Sequence, residues 1–136
     1  MARLALVTGT STGIGRAVAI HLARRGFEVL AGVREPEDGP PGLEPILLDV
    51  TSEGDIAAAS ARVGRSLDAL VNNAGIAVNG PVEVVPVEQW RRQFEVNLIG
   101  PVALTRALLP ALLEARGRIV NISSISGRAA WPLIGP

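Results

Sequence analysis

The residues best suited to chemistry stand in a glycine-rich segment near the start of the chain. Gly9, Gly13 and Gly15 follow the apolar run 4–7 at G-x-x-x-G-x-G spacing, and an Ala-, Val- and Leu-rich stretch comes next. Glycines let the backbone turn sharply and approach a ligand closely, and a helix start presents unpaired N–H groups and a positive dipole end. The pattern predicts a cradle for a pyrophosphate. A tight strand-to-helix turn without a ligand has the same spacing, so other motifs must decide.

Four further groups of polar or glycine residues each come at the end of an apolar segment. They are Gly32–Arg34, Asp49-Val50, Asn72–Gly75 and Ser123-Ser124. In an open parallel sheet, ligands bind beyond the carboxyl ends of the strands. One ligand lying across the sheet explains these groups and the glycine segment together better than separate turns do. We therefore predict a common binding site at this edge.

The elements that must position these residues alternate between strand and helix. The apolar patterns predict strands at 3–7, 27–33, 46–50, 67–71 and 118–122, helices at 13–25, 51–64, 87–96 and 97–116, and a surface loop at 36–45. Such alternation with short connections implies a doubly wound α/β fold, a parallel sheet with helices on both faces. We expect a single domain over residues 1–136.

The predicted helix 97–116 carries apolar side chains on more than one face. A helix of this kind is buried, either in a core or against another subunit. Pro110 is expected to bend or loosen it. This helix is therefore a candidate contact between copies of the chain.

Composition excludes several classes of protein. Thirteen acidic residues balance thirteen basic ones, so there is no overall field to attract nucleic acid or an anionic membrane. The absence of Cys excludes a disulfide scaffold, a thiol nucleophile and a thiolate metal site. No long apolar leader precedes the first strand, and no uninterrupted apolar run approaches the roughly 18 residues of a membrane span. We expect a cytoplasmic protein with no metal, membrane or nucleic-acid partner.

Five motifs, taken together, resemble the short-chain dehydrogenase/reductase family. They are T-G-x-x-x-G-I-G at 8–15, Asp-Val at 49–50, N-N-A-G at 72–75, N-L-x-G at 97–100 and I-V-N-I-S-S at 119–124. They stand in the family's order and spacing, and the resemblance runs from Arg3 to the end of the chain. It implies a Rossmann-type fold and hydride transfer between a nicotinamide cofactor and a small carbonyl or alcohol substrate.

The resemblance also implies which residues hold the cofactor. The glycine segment would hold the pyrophosphate, Asp49 would accept from the adenine amino group beside the Val50 backbone, and residues 73–75 would pass under the ribose. Two alternatives stay open, because Asp49 could cap a strand end and Asn73 could simply form a turn. The implied cofactor-binding residues are Gly9, Ser11, Gly13, Ile14, Gly15, Arg34, Asp49, Val50, Asn73, Ala74 and Gly75.

The end of the second strand bears on the choice between NAD and NADP. Family members that prefer NAD place an acidic residue there, whereas this chain has Gly32-Val33-Arg34. Because no carboxylate repels a 2′-phosphate and Arg34 is in reach to pair with it, NADP(H) is favoured over NAD(H). Glu35 is the competing residue, since a small shift of register would direct it at the ribose.

For catalysis, the family uses a Ser that hydrogen-bonds the reacting oxygen, an Asn in a water-linked proton relay, and a Tyr acid/base assisted by a Lys. Ser124 matches the Ser and Asn97 matches the Asn, although Asn97 could equally bond the backbone at a helix kink. The chain has no Tyr and no Lys, and the family's Tyr-x-x-x-Lys motif would begin directly after Pro136. His21, the only His, is expected on a helix surface.

Three interpretations follow from the missing Tyr and Lys. The chain could be the N-terminal part of an ordinary reductase, without the C-terminal strands; a dinucleotide-binding module without catalysis; or a structural piece that depends on a partner. We favour the first. On its own, the 136-residue chain is expected to show no turnover, to be marginally stable and to self-associate through an open sheet edge or the 97–116 helix. The small, apolar residues of the loop 76–86 suggest a hydrophobic substrate.

Overall fold

Five parallel strands form the centre of the computed structural model, which describes residues 3–129 and 131–133. They are β1 (Arg3–Val7), β2 (Phe27–Val33), β3 (Glu44–Leu47), β4 (Ala69–Asn72) and β5 (Arg118–Asn121). In space the order is β3-β2-β1-β4-β5. The chain therefore builds outward from the central strand to one edge, returns past its start, and builds toward the other edge. This is the doubly wound parallel sheet that the sequence predicts.

Helices cover both faces of this sheet. α1 (Gly13–Arg24) covers one face, and α2 (Glu53–Val63) covers the other together with α4 (Gly100–Ala115). The remaining helix, α3 (Val87–Phe94), has no buried residue. Successive residues of a strand point to opposite faces, so Ala5 and Val7 pack with α1 whereas Leu6 packs with α2 and α4. Two apolar cores result, and the central strands β1, β2 and β4 are rich in apolar residues because both of their faces are largely buried.

Several element boundaries differ by one to three residues from the predicted ones, and two of these differences have a local reason. The third strand was expected at 46–50, but β3 begins at Glu44 and ends at Leu47. Pro45 is accommodated because β3 lies at the edge of the sheet, where the missing N–H of a proline costs little. The second helix was expected from residue 51, but it starts at Glu53 because the Ser52 hydroxyl caps it by accepting from the Asp55 N–H at 3.2 Å.

The two helices predicted at 87–96 and 97–116 form one continuous rod. A wide π turn, Glu95–Ile99, joins α3 to α4, and α4 continues through Pro110. Leu104, Leu108 and Leu112 of α4 are buried against the sheet and α2. The helix was expected to be buried on more than one face, but only this face is buried. Val102 (49% exposed) and Leu113 (71% exposed) lie on the uncovered side.

One helical segment among the described residues, Val87–Ala115, is long and apolar enough to span a membrane. That statement concerns length and composition only. The core helix of a soluble protein meets the same criterion, and α4 does pack its leucines against the sheet. The segment is therefore weak support for a membrane span.

Candidate cofactor-binding and active site

A cleft of about 610 Å³ opens at the carboxyl ends of the strands. Its wall is drawn from the glycine segment, the ends of β2 and β3, the loop after β4, the π turn and the segment after β5. Every residue proposed from the sequence lines this cleft except Gly15. Those that do are Gly9, Ser11, Gly13, Ile14, Arg34, Asp49, Val50, Asn73, Ala74, Gly75, Asn97 and Ser124.

The glycine segment needs its glycines for two different reasons. Gly9 and Gly13 adopt left-handed φ angles of +67° and +58°, which side chains rarely tolerate. Gly15 has no such angle, but a Cβ there would overlap the Gly9 carbonyl oxygen and the Asn73 amide nitrogen. Gly15 therefore lies behind the cleft wall, where it allows the start of α1 to approach the loop. Its expected direct contact with a ligand is not supported by this position.

Thr8 and Asn73 fasten the glycine loop to the end of β4. The Thr8 hydroxyl oxygen accepts from the backbone N–H groups of Asn73 and Ala74, both at 2.9 Å. In return, the Asn73 amide nitrogen donates to the carbonyls of Thr8 at 2.9 Å and Gly9 at 3.1 Å. The side chain of Asn73 thus shapes the loop, in agreement with the turn-forming alternative, while Ala74 and Gly75 contribute to the cleft wall.

Three supporting residues were not among the predicted site residues. Thr8 is one of them; the signal was a polar residue at the end of a buried strand. Thr10 is fully buried, and both its N–H and its hydroxyl donate to the Gly32 carbonyl, at 3.0 and 3.1 Å. Arg16 donates to the Ser11 carbonyl at 2.9 Å. These bonds hold the loop against β2 and α1, so the cradle is rigid before any ligand arrives.

Asp49 presents a fixed, negatively charged carboxylate at the end of β3. Its Oδ1 accepts from the Thr51 N–H at 2.9 Å and from the Thr51 hydroxyl at 2.7 Å. The Thr51 N–H, and then its hydroxyl, lower the pKa of Asp49 below its ordinary value of 3.8, and the positive charges of Arg34 and Arg92 act in the same direction. The turn-capping alternative is therefore realised, and the same carboxylate remains an acceptor in the cleft wall.

The two predicted catalytic residues, Asn97 and Ser124, also line the cleft. Both ends of the Asn97 amide bond the backbone of Ile76, with Nδ2 donating to its carbonyl and Oδ1 accepting from its N–H, each at 2.8 Å. Asn97 lies in the π turn, so the alternative of backbone bonding at a helix irregularity is realised. Ser124 is exposed, and its Oγ accepts from the Ser126 N–H at 3.2 Å. Its hydroxyl hydrogen can therefore donate to a ligand.

Two other sequence expectations concern residues away from the cleft wall. His21 is exposed on α1 and does not line the cleft. Within residues 3–129 and 131–133, no group of three or more His, Cys, Asp or Glu side chains is placed to hold a metal ion. The polar groups that line the cleft are backbone amides, hydroxyls, the side-chain amides of Asn73 and Asn97, the Asp49 carboxylate and the Arg34 guanidinium.

Comparison with known proteins identifies the family. The family model described as short chain dehydrogenase matches residues 3–136. The chain belongs to the short-chain dehydrogenase/reductase family. An uncharacterized oxidoreductase of Bacillus subtilis, YusZ, is 38% identical over 98% of this chain and 53% of its own. Mouse retinol dehydrogenase 5 is 41% identical over 91% of this chain and 43% of its own.

Solved structures of short-chain dehydrogenases agree in fold. One from Streptomyces avermitilis has a TM-score of 0.88 and 37% identity, over 98% of this chain and 53% of that one. One from Burkholderia cenocepacia, solved with NADP, has a TM-score of 0.89 and 35% identity, over 98% and 58%. The predicted resemblance and the Rossmann-type fold are confirmed. The chain spans about half the length of the curated relatives it matches.

Proposed function

We propose that this chain is the dinucleotide-binding part of an NAD(P)-dependent oxidoreductase acting on a carbonyl or alcohol group. The supporting observation is that the glycine loop, Asp49, Asn97 and Ser124 all line one cleft at the strand ends. The family of the chain and the oxidoreductase relatives support the same class of reaction. When bound, the nicotinamide supplies or accepts the hydride.

The residues present fit a dinucleotide. A Cβ at Gly9 would come within 2.9 Å of the Ala74 Cα, so only a glycine leaves the loop this shape. The N-terminus of α1 follows at Gly13 and directs unpaired N–H groups and the positive helix end toward the cleft. We assign the pyrophosphate to residues 9–14 and the adenine amino group to the carboxylate of Asp49.

At the catalytic end, Ser124 would donate its hydroxyl hydrogen to the reacting oxygen of the substrate. Asn97 would act through Ile76, whose backbone it holds in the cleft wall. The 136-residue sequence contains no Tyr and no Lys, the residue types that carry the proton in this family. We therefore propose that this chain does not turn over substrate by itself and that acid/base catalysis needs groups outside it.

The cofactor is proposed to be NADP(H) rather than NAD(H). Arg34 is exposed and lines the cleft, whereas the competing Glu35 is not among the described residues of its wall. A guanidinium at this place favours a 2′-phosphate over a hydroxyl. That a relative's structure contains NADP is consistent with this preference.

Calorimetric titration of the 136-residue chain with NADP⁺ and NAD⁺ tests the proposal. We expect NADP⁺ to bind more tightly, and we expect Arg34→Gln to reduce the preference by about ten-fold or more, the size of one charged hydrogen bond. Arg24→Gln, at the far end of α1, is the matched control and should leave the preference unchanged. Tighter binding of NAD⁺, or an unchanged preference in Arg34→Gln, would contradict the assignment.

A hydrophobic substrate is proposed for the catalytic end of the cleft. The Gly80 N–H donates to the Leu133 carbonyl at 2.7 Å and joins the loop after β4 to the segment after β5. These two segments carry the exposed apolar side chains of Val82, Val84, Trp131 and Leu133. Their apolar surface supports a carbonyl or alcohol compound with an apolar body.

The isolated chain is also proposed to self-associate. β5 is an open edge of the sheet, with Ile119 and Val120 partly exposed, and α4 leaves Leu113 uncovered. An exposed apolar strand edge pairs readily with another chain. Sedimentation velocity should show dimers or larger species, and a monodisperse monomer at all concentrations would refute this.

We propose a cytoplasmic location, because packing of Leu104 and Leu108 on the sheet accounts for the apolar helix without a membrane.

A further inference from the structure

A second cavity of about 310 Å³ adjoins the cleft at its Asp49 end. It shares Arg34, Asp49 and Ile76 with the cleft, so the two spaces lie next to each other. The remaining residues of its wall are Thr51, Arg92, Glu95 and Val96. Of the seven residues in its wall, only Asp49 belongs to the five sequence motifs, and α3 and the π turn provide three others.

Asp49 lies where the cleft and the cavity meet, with a different residue next to it in each. Val50 lines the cleft but not the cavity, whereas Arg92 lines the cavity but not the cleft. The carboxylate between them is held in place by its two hydrogen bonds from Thr51. Arg92 lies close enough for its positive charge to lower the pKa of Asp49. A carboxylate acceptor and a guanidinium donor therefore line the same cavity at this part of the cleft.

This pairing matches one edge of adenine. The exocyclic amino group of adenine is a donor, and the adjacent ring nitrogen N7 is an acceptor. A carboxylate can only accept and a guanidinium can only donate. Two ring nitrogens, N1 and N7, flank the amino group of adenine. When the amino group meets Asp49, the orientation that places N1 on the Val50 side places N7 on the side of Arg92.

We propose that Arg92 is a specificity-determining residue for the adenine base, donating from its guanidinium to N7 while Asp49 accepts from the amino group. The proposal rests on the dinucleotide function proposed above. Arg91 precedes Arg92 on the same exposed helix and does not line the cavity, so it provides a matched control. Both side chains are exposed, so replacing either should leave the fold intact.

The test uses ADP and 7-deaza-ADP, in which a C–H group replaces N7. Each compound competes with NADPH for the 136-residue chain, and the fluorescence of NADPH reports how much of it remains bound. The unsubstituted chain should bind 7-deaza-ADP about ten-fold more weakly than ADP, the effect of one charged hydrogen bond. In Arg92→Met, which keeps an apolar stem without donors, the two compounds should bind equally. Arg91→Met should keep the ten-fold difference.

The outcomes separate this proposal from the one on which it rests. Equal binding of the two compounds by the unsubstituted chain, or a difference that persists in Arg92→Met, would overturn the role of Arg92 while leaving dinucleotide binding in place. Absence of any binding of ADP and NADPH would overturn the dinucleotide function and this assignment together. A loss of affinity for both compounds in Arg92→Met, with their ten-fold ratio kept, would show a structural effect and would also refute the contact with N7.

Discussion

Replacing Gly15 by Ala should damage both the stability of the chain and its cofactor cleft. A methyl group at this position would overlap the Gly9 carbonyl oxygen and the Asn73 amide nitrogen, both closer than side-chain carbons approach other atoms. The first of these atoms is backbone and cannot move unless the glycine loop moves with it. The second is the donor that holds the carbonyls of Thr8 and Gly9.

The magnitude follows from these two contacts. Forcing one extra carbon into a packed site costs about 1–3 kcal/mol of unfolding free energy. Displacing Asn73 weakens two hydrogen bonds that contribute about 1 kcal/mol each, and we expect part of that contribution to be lost. Together we expect Gly15→Ala to lower the free energy of unfolding by about 2–4 kcal/mol and Tm by about 10 °C. NADP⁺ binding should be lost, because the displaced loop lines the cleft.

Urea unfolding followed by circular dichroism, with calorimetric titration of NADP⁺, measures both effects. Gly54→Ala is the control, since its new methyl group would meet only the Ser52 hydroxyl at 3.8 Å within α2. Ala is the better helix former by up to about 1 kcal/mol, so this variant should be as stable as the parent or more so. If Gly15→Ala unfolds within about 0.5 kcal/mol of the parent and still binds NADP⁺, the packing argument is refuted.

Two further substitutions test the hydrogen bonds of the site. Thr8→Val should lower the free energy of unfolding, measured in urea, by about 2–4 kcal/mol, because the N–H groups of Asn73 and Ala74 lose their acceptor. Thr8→Ser keeps the hydroxyl and should retain most of the stability. Equal stability of the two variants would contradict this. The lowered pKa of Asp49 means that its carboxylate stabilises the fold above pH 3.8 and that this contribution is lost as the pH falls through the lowered pKa. Thr51→Val removes the hydroxyl donor and should raise the pKa of Asp49 toward 3.8, so the carboxylate contributes less stability above that pH. An unchanged NMR titration of this carboxyl would refute the assigned cause.

The sequence by itself determined the fold class and the edge of the sheet where the site lies. The apolar runs 4–7 and 29–33 mark strands buried on both faces, and the strands predicted around them, at 3–7 and 27–33, match the observed ones. Polar and glycine residues directly after such runs must meet at one edge, because all strands of a parallel sheet end there. Local patterns were sufficient for this, since each motif lies within a few neighbouring residues.

Only the tertiary structure decided what individual residues do at that edge. Thr8 meets Asn73 because β1 and β4 pair with Val7 opposite Val71, a register between residues 64 positions apart that no local pattern contains. Gly15 fits because α1 packs back onto the loop, and Arg92 lines one cavity with Asp49 although the two residues lie 43 positions apart in the sequence. Spacing along the chain predicts which residues follow the strand ends and therefore lie at the same edge of the sheet. Long-range packing alone fixes which of their atoms come within bonding distance.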